Sequence, residues 1–160
     1  MFVCATGHAY NDSDERGVYK TADGGRTWRK VLAAANGSTG CGMMTMNASE
    51  PHTIYASMWD YRRQVWTFRS GGPGSGIFKS TDGGERWTEI IPSKGNGLPD
   101  KPYGRIALAV APSNSKIVYA MIECKDSALY RSDDAGQSWT RLDASMFMVW
   151  RPFYFANLGR

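Results

Sequence analysis

Apolar residues alternate with small or polar ones in short runs along most of the chain. Ile106, Leu108 and Val110 are separated by alanines, and Val18-Tyr19, Ile77-Phe78 and Leu129-Tyr130 are brief apolar pairs that end in Lys or Arg. A period of two over so few residues predicts strands, and no stretch keeps a helical period with caps. Segment 40–56 aligns without gaps on 104–120, each holding a strand, a polar Pro/Ser/Asn turn and a second strand ending in Tyr-Ala. Each full unit therefore predicts four strands. The first spans 42–48 or 105–111, the second 53–59 or 116–123, the third 76–79 or 128–131, and the fourth follows a polar turn.

That turn is the strongest signal in the chain. It reads Ser/Thr-x-Asp-x-Gly-x-x-Trp three times, at 21–28, 80–87 and 132–139. The positions are Thr21, Asp23, Gly25 and Trp28; Ser80, Asp82, Gly84 and Trp87; Ser132, Asp134, Gly136 and Trp139. Asp and Ser/Thr side chains bond to their own turn backbone, and Gly supplies positive φ. The product is a rigid hairpin tip whose Trp opens the next strand and packs between neighbouring units. A fixed unit repeated in this way means an array of one supersecondary motif. These residues are structural.

The motif resembles the Asp-box, or BNR, repeat of β-propellers, found in sialidases, polysaccharide hydrolases, sortilin-type receptors and assembly factors. Strings such as GVYKTxDGG, WTFRSGGPGSG and LYRSDDxGxSW make the chain most similar to sortilin-like, glycosyl-hydrolase-like bacterial propellers. The resemblance implies an all-β, partial propeller of about three four-stranded antiparallel blades, open rather than closed into a ring. It also implies an exported protein, in the extracellular space or periplasm. The units fall at 1–34 (a partial blade lacking its first strand), 40–91, 104–143 and 151–160 (the start of a next blade). Propellers use ~4–8 blades, so the chain reads as a piece of a larger propeller whose remaining blades are its partners. The unpaired strand edges at its two ends predict association.

Composition narrows the classes. With Gly 18, Trp 6 and Tyr 8 in 160 residues, the chain suits turn-dense, aromatic-packed sheets. Mean hydropathy is −0.43, and no apolar run is long enough for a membrane span or forms a signal peptide at Met1. Net charge is +4 with 15 acidic residues interspersed; the absence of a basic arm argues against nucleic acid. Cys4, Cys41 and Cys124 are widely spaced without a Cys-x-x-Cys, which reads as buried small apolar residues rather than zinc ligands or a disulfide framework.

Two motifs fail on inspection. The glycine stretch 71–76 followed by Ile77-Phe78-Lys79-Ser80 lacks the Gly before the Lys and the helix that a phosphate loop needs. The acidic run Asp12-Ser13-Asp14-Glu15 resembles the start of a calcium loop, but Arg16 stands at a ligand position. No metal site and no cofactor are expected.

Function is expected opposite the boxes, where the loops after second and fourth strands are long. The longest begins Trp59-Asp60-Tyr61-Arg62-Arg63 and continues through Trp66, Phe68 and Arg69 to Ser70 before the glycines. Aromatics beside arginines suit a glycan or peptide ligand through stacking and bidentate hydrogen bonds. Trp59, Asp60, Arg62, Arg63, Trp66, Arg69 and Arg105 are thus the expected ligand-binding residues, although Trp66 and Phe68 could equally fold back to fill the gap between blades. His8, Asp60, Glu123 and Lys125 reach the same face, and Asp60 with Glu123 is a candidate acid/base pair of the glycosidase kind. Arg105 and Arg151 open equivalent first strands and could clamp an anion. Tyr103-Gly104-Arg105-Ile106-Ala107 lacks the Phe/Tyr-Arg-Ile-Pro element of sialidases, which argues against that activity. The reading is a ligand-binding propeller module for protein, peptide or glycan; the alternative is a glycoside hydrolase, catalytically incomplete in this chain.

Overall fold

A computed structural model describes residues 1–34, 36–145 and 158. Its strands are β1 (Phe2–Ala5), β2 (Gly17–Lys20), β3 (Arg29–Leu32), β4 (Thr39–Met46), β5 (Ile54–Arg63), β6 (Phe68–Ser70), β7 (Gly76–Ser80), β8 (Thr88–Ile90), β9 (Ile106–Val110), β10 (Val118–Ile122), β11 (Ala128–Ser132) and β12 (Thr140–Asp143). They form three antiparallel sheets ordered β1-β2-β3, β4-β5-β7-β8 with β6 on β5, and β9-β10-β11-β12. No sheet closes on itself among the described residues. The expected next strand at 151–160, Arg151 included, lies outside them except for residue 158.

The boxes have the predicted mechanics. The Ser80 hydroxyl accepts the Gly84 amide at 2.8 Å and donates to Asp82 Oδ1 at 2.9 Å, and that carboxylate accepts the Glu85 and Arg86 amides at 3.0 and 2.9 Å. Ser132, Asp134 and Gly136 repeat this, as do Thr21, Asp23 and Gly25. In each box the Trp indole N–H closes the turn on the carbonyl of the glycine three residues back, at 3.1 to 3.2 Å. Burial opposes ionisation of Asp134, but bonds from Ser138, Ser132 and Gln137 outweigh it and hold its carboxyl down at about 2. The Ser/Thr is the buried polar side chain of the motif, Ser80 being 1% exposed. Ser80→Ala is therefore expected to cost about 1–3 kcal/mol, the penalty for stranding a buried amide, measured as a lower denaturation midpoint.

Packing explains why alternation is imperfect. Residues 54–61 of β5 are all buried, because a middle strand of the middle sheet is covered on both faces. One core lies between the second and third sheets, built from Tyr55, Ile77, Tyr103, Leu108, Tyr130 and Trp139. Another lies between the first and second, built from Val18, Leu32, Cys41, Ala56 and Met58.

The second core corrects the cysteine reading. Cys4 of β1 and Cys41 of β4 are joined as a disulfide, their Cα atoms 5.1 Å apart. The two strands belong to different sheets whose facing layers bring both side chains into one space, so a spacing of 37 residues gave no hint. Cys124 remains a free, half-buried thiol whose pKa burial pushes up.

A second difference concerns the segment after 59. It is not an irregular loop: β5 continues to Arg63 and β6 returns, pairing Tyr61 with Ser70, Arg62 with Arg69 and Arg63 with Phe68. The blade hairpin is thus prolonged beyond its neighbours, at the end of β5 away from the box, since Ile54 pairs with Ser80.

Candidate functional site

The prolonged hairpin is organised by alternation. Trp59 and Tyr61, two residues apart on β5, share a face and stack with ring centroids 4.4 Å apart at 17°. Phe68 meets Trp59 edge-on at 5.9 Å. Cations cap both ends of the stack: the Arg105 guanidinium lies 5.7 Å from the Trp59 ring and that of Arg16 4.8 Å from Tyr61. The ladder therefore runs from the first sheet's β1–β2 loop, through the second sheet, to the start of β9 in the third. Trp59 and Tyr61 are buried within it.

Asp60 points to the other side of β5 and is buried. Its carboxylate accepts Ser38 Oγ at 2.8 Å and Asn36 Nδ2 at 3.2 Å, and pairs with Arg69 at 3.0 Å. The glycine stretch exists to wrap it: a Cβ on Gly72 would lie 2.3 Å from Asp60 Oδ2, and one on Gly74 would lie 2.1 Å from Thr39 Oγ1. Gly71 donates its amide to the Asp60 carbonyl at 2.8 Å. Close backbone approach is what demands glycine there.

Glu123 is fixed in a different way. Its Oε2 accepts Ser70 Oγ at 2.6 Å and the Arg105 amide at 2.7 Å, and Ser70 Oγ in turn accepts the Trp59 indole N–H at 3.1 Å. Asp60 and Glu123 are thus each enclosed by donors, on separate networks. A pair poised for acid/base work would instead face one shared cleft.

The remaining expected residues divide by exposure. Arg62 ties the hairpin to the β1–β2 loop through the Tyr10 carbonyl and Asp12. Arg63 lies 5.8 Å from the Phe68 ring. Trp66 stands at the tip, 81% exposed beside Val65 at 92%, where Gln64 N–H to Thr67 O at 2.8 Å closes the turn. The tip therefore projects rather than filling the gap, while Phe68 does fold in. His8 reaches Glu15 at 3.7 Å, and Lys125 is exposed. Arg16, dismissed in sequence as hostile to calcium, is the buried cation that anchors the ladder, donating to the carbonyls of Thr6, His8 and Asn11.

Beside Arg16 opens a polar pocket of about 160 Å³ lined by Ser13, Asp14, Lys30, Asn36 and Thr39 among others. The Thr39 hydroxyl and the Asn36 side-chain carbonyl are buried there without a partner among the described residues. A roomier groove, about 340 Å³, lies on the inner strands β4 and β9 and is lined by Met43, Met44, Met46, Leu108 and Val110. Among the described residues no three His, Cys, Asp or Glu side chains converge as a metal site requires.

Comparison with known proteins agrees with the box reading. The BNR/Asp-box repeat family matches residues 130–141. The chain is similar to the xyloglucanase Xgh74A of Acetivibrio thermocellus, 27% identical over 141 residues; the match covers 84% of this chain but only 16% of that protein. Two solved structures share the fold. The GH74 xyloglucanase of Xanthomonas campestris aligns with a TM-score of 0.60 at 23% identity, over 90% of this chain and 20% of that one. The GH74 enzyme of Niastella koreensis aligns at 0.56 and 24%, over 81% and 18%. The chain is an array of Asp-box propeller blades, spanning about a fifth or less of the proteins it matches.

Proposed function

We propose that this chain forms consecutive blades of a glycan-binding propeller of the glycoside-hydrolase type, acting on a β-glucan such as xyloglucan. The prolonged β5–β6 hairpin carries the proposal. It puts an exposed Trp66 on a rigid, aromatic-laddered base, at the end of the blade opposite the boxes. A flat indole held proud of the surface suits the apolar face of a sugar ring. The adjoining polar pocket offers unpartnered donor and acceptor atoms to sugar hydroxyls. The likeness to xyloglucanases favours a glycan over a peptide or protein ligand.

In this reading Asp60 and Glu123 hold the hairpin in place, and the chain's part in hydrolysis is to bind. Trp59 and Arg105 brace the ladder, and Arg62, Arg63 and Arg69 fix the arm; of the hairpin, only the tip meets ligand. Export fits the Cys4–Cys41 disulfide, since such bridges persist in oxidising compartments.

The test is titration calorimetry with xyloglucan oligosaccharides. Trp66→Ala is expected to weaken binding about tenfold or more, as truncation of a contact hot spot does, with an unchanged melting temperature. Unaltered affinity would remove the tip from the site; failure of the unmutated chain to bind any glucan would remove the function.

A further inference from the structure

Lys20 and Lys79 hold the same place in the first and second sheets, each directly before its box. Each sets its ammonium against a ring on the neighbouring strand, Phe2 at 5.7 Å and Tyr55 at 5.5 Å. Each also reaches the box of the next sheet, Lys20 donating to the Gly83 carbonyl at 2.7 Å and Lys79 to the Ala135 carbonyl at 2.8 Å. A groove runs past each lysine where the sheets meet. The first is lined by Lys20, Ala22, Thr27, Arg29 and Glu85, and the second contains the equivalents of all five, Lys79, Thr81, Arg86, Thr88 and Gln137. Both walls of each groove belong to adjoining sheets of this chain.

The charges differ. In the first groove Glu85 bridges Lys20 and Arg29, each at 2.5 Å. In the second, Gln137 stands where Glu85 would, and Thr88 pairs with Lys79 across the strands as Arg29 does with Lys20. Lys79 therefore keeps its ring and its carbonyl but has no carboxylate partner among the described residues, although an ammonium carries three donors. Burial lowers its pKa, and Asp134 and Glu50 favour its charge without bonding to it. The carboxylate in the lining, Asp82, is taken up by its own box, where it accepts the Ser80 hydroxyl and the Glu85 and Arg86 amides. Arg86 adds a second, exposed cation, whose charge also acts on Asp82. The space widens from about 310 Å³ in the first groove to about 560 Å³ in the second.

We propose that the second groove binds a carboxylated sugar, a hexuronate, whose carboxylate takes beside Lys79 the place that Glu85 takes beside Lys20. The first groove shows which group the lysine accepts there. The rest of the lining selects the sugar: Thr81, Thr88 and Gln137 offer hydroxyl and amide groups to ring hydroxyls, and Ile90 offers an apolar patch to a C–H face. A carboxylate without a sugar ring would leave those groups unused. The site lies on the box side of the blade, away from the Trp66 hairpin, and stands independently of the function proposed above.

The experiment is a heteronuclear NMR titration of the full 160-residue chain with D-glucuronate, beside D-glucose as the neutral sugar and N-acetylglutamate as the acidic-peptide arm. Glucuronate is expected to move the amide signals of Lys79, Thr88 and Gln137 at low salt, with weaker binding as salt rises, and the other two probes to leave them in place. Gln137→Glu, an exposed substitution, supplies the carboxylate from the chain itself and should weaken glucuronate binding about tenfold or more by like charge, with an unchanged melting temperature. Trp66→Ala should leave glucuronate binding as it is, which separates this site from the hairpin tip. No response to glucuronate overturns the proposal, as does an equal response to glucose or N-acetylglutamate. So does a Gln137→Glu chain that binds glucuronate as well as the unmutated one.

Discussion

Trp139→Ala should lower stability by about 3–5 kcal/mol, as removal of a fully packed Trp side chain does, whereas Trp28→Ala should cost less than about 1 kcal/mol as an exposed substitution. The two residues hold the same place in the same motif, and each indole closes its own turn on a glycine carbonyl. Only their neighbours differ. Trp139 is buried in the core between the second and third sheets, beside Tyr55 and Ile90, and its backbone amide reaches the Asn96 carbonyl at 2.7 Å. Trp28 has no sheet on its outer side among the described residues and is 40% exposed. If closing the turn were the Trp's main work, both substitutions would cost the same. Denaturant unfolding of the two variants separates local from inter-sheet packing, and equal losses would show that the boxes act alone.

The repeats were legible because their chemistry is local. A hydroxyl, a carboxylate and a glycine within five residues make the turn by themselves, so the boxes at 21–28, 80–87 and 132–139 specify their hairpins before any tertiary contact forms. Strand pairs were legible for the same reason: Ile106, Leu108 and Val110 pair with Ile122, Ala120 and Val118 as adjacent segments.

What the sequence hid depends on contacts between sheets. The alternation Trp59-Asp60-Tyr61-Arg62 was a readable strand signal. Yet it stands next to a glycine-rich stretch, and the two together read as a loop. Those glycines answer to Asp60 and Thr39, side chains that approach from elsewhere in the chain. Arg16 reads in sequence only as a cation that spoils a calcium loop, because nothing nearby announces Tyr61 or the carbonyls that enclose it. Asp60 and Glu123 read as acid/base candidates because they are carboxylates at equivalent strand ends; the donors that enclose them, Ser38 and Asn36 for Asp60 and Ser70 for Glu123, come from other segments and carry no local signal.

Breaking the Cys4–Cys41 bridge, by reduction or as Cys4→Ser with Cys41→Ser, should cost about 2–4 kcal/mol. The bridge closes a loop of 37 residues, and the constraint it places on the unfolded chain grows only slowly with loop length. Its position sharpens the expectation. β1 is a short strand whose one sheet partner is β2 among the described residues, so the disulfide is the covalent tie from the outer strand of the first sheet to β4 of the second. The Thr6 hydroxyl bond to the Cys41 carbonyl at 3.0 Å lies beside it and is non-covalent. Loss of the bridge should therefore loosen the first sheet before the other two. Hydrogen exchange on reduced protein tests this: amides of β2 and β3 should lose protection while those of β10 and β11 keep theirs. Uniform loss across all three sheets would mean that the array unfolds as a single cooperative unit and that the bridge secures the whole of it.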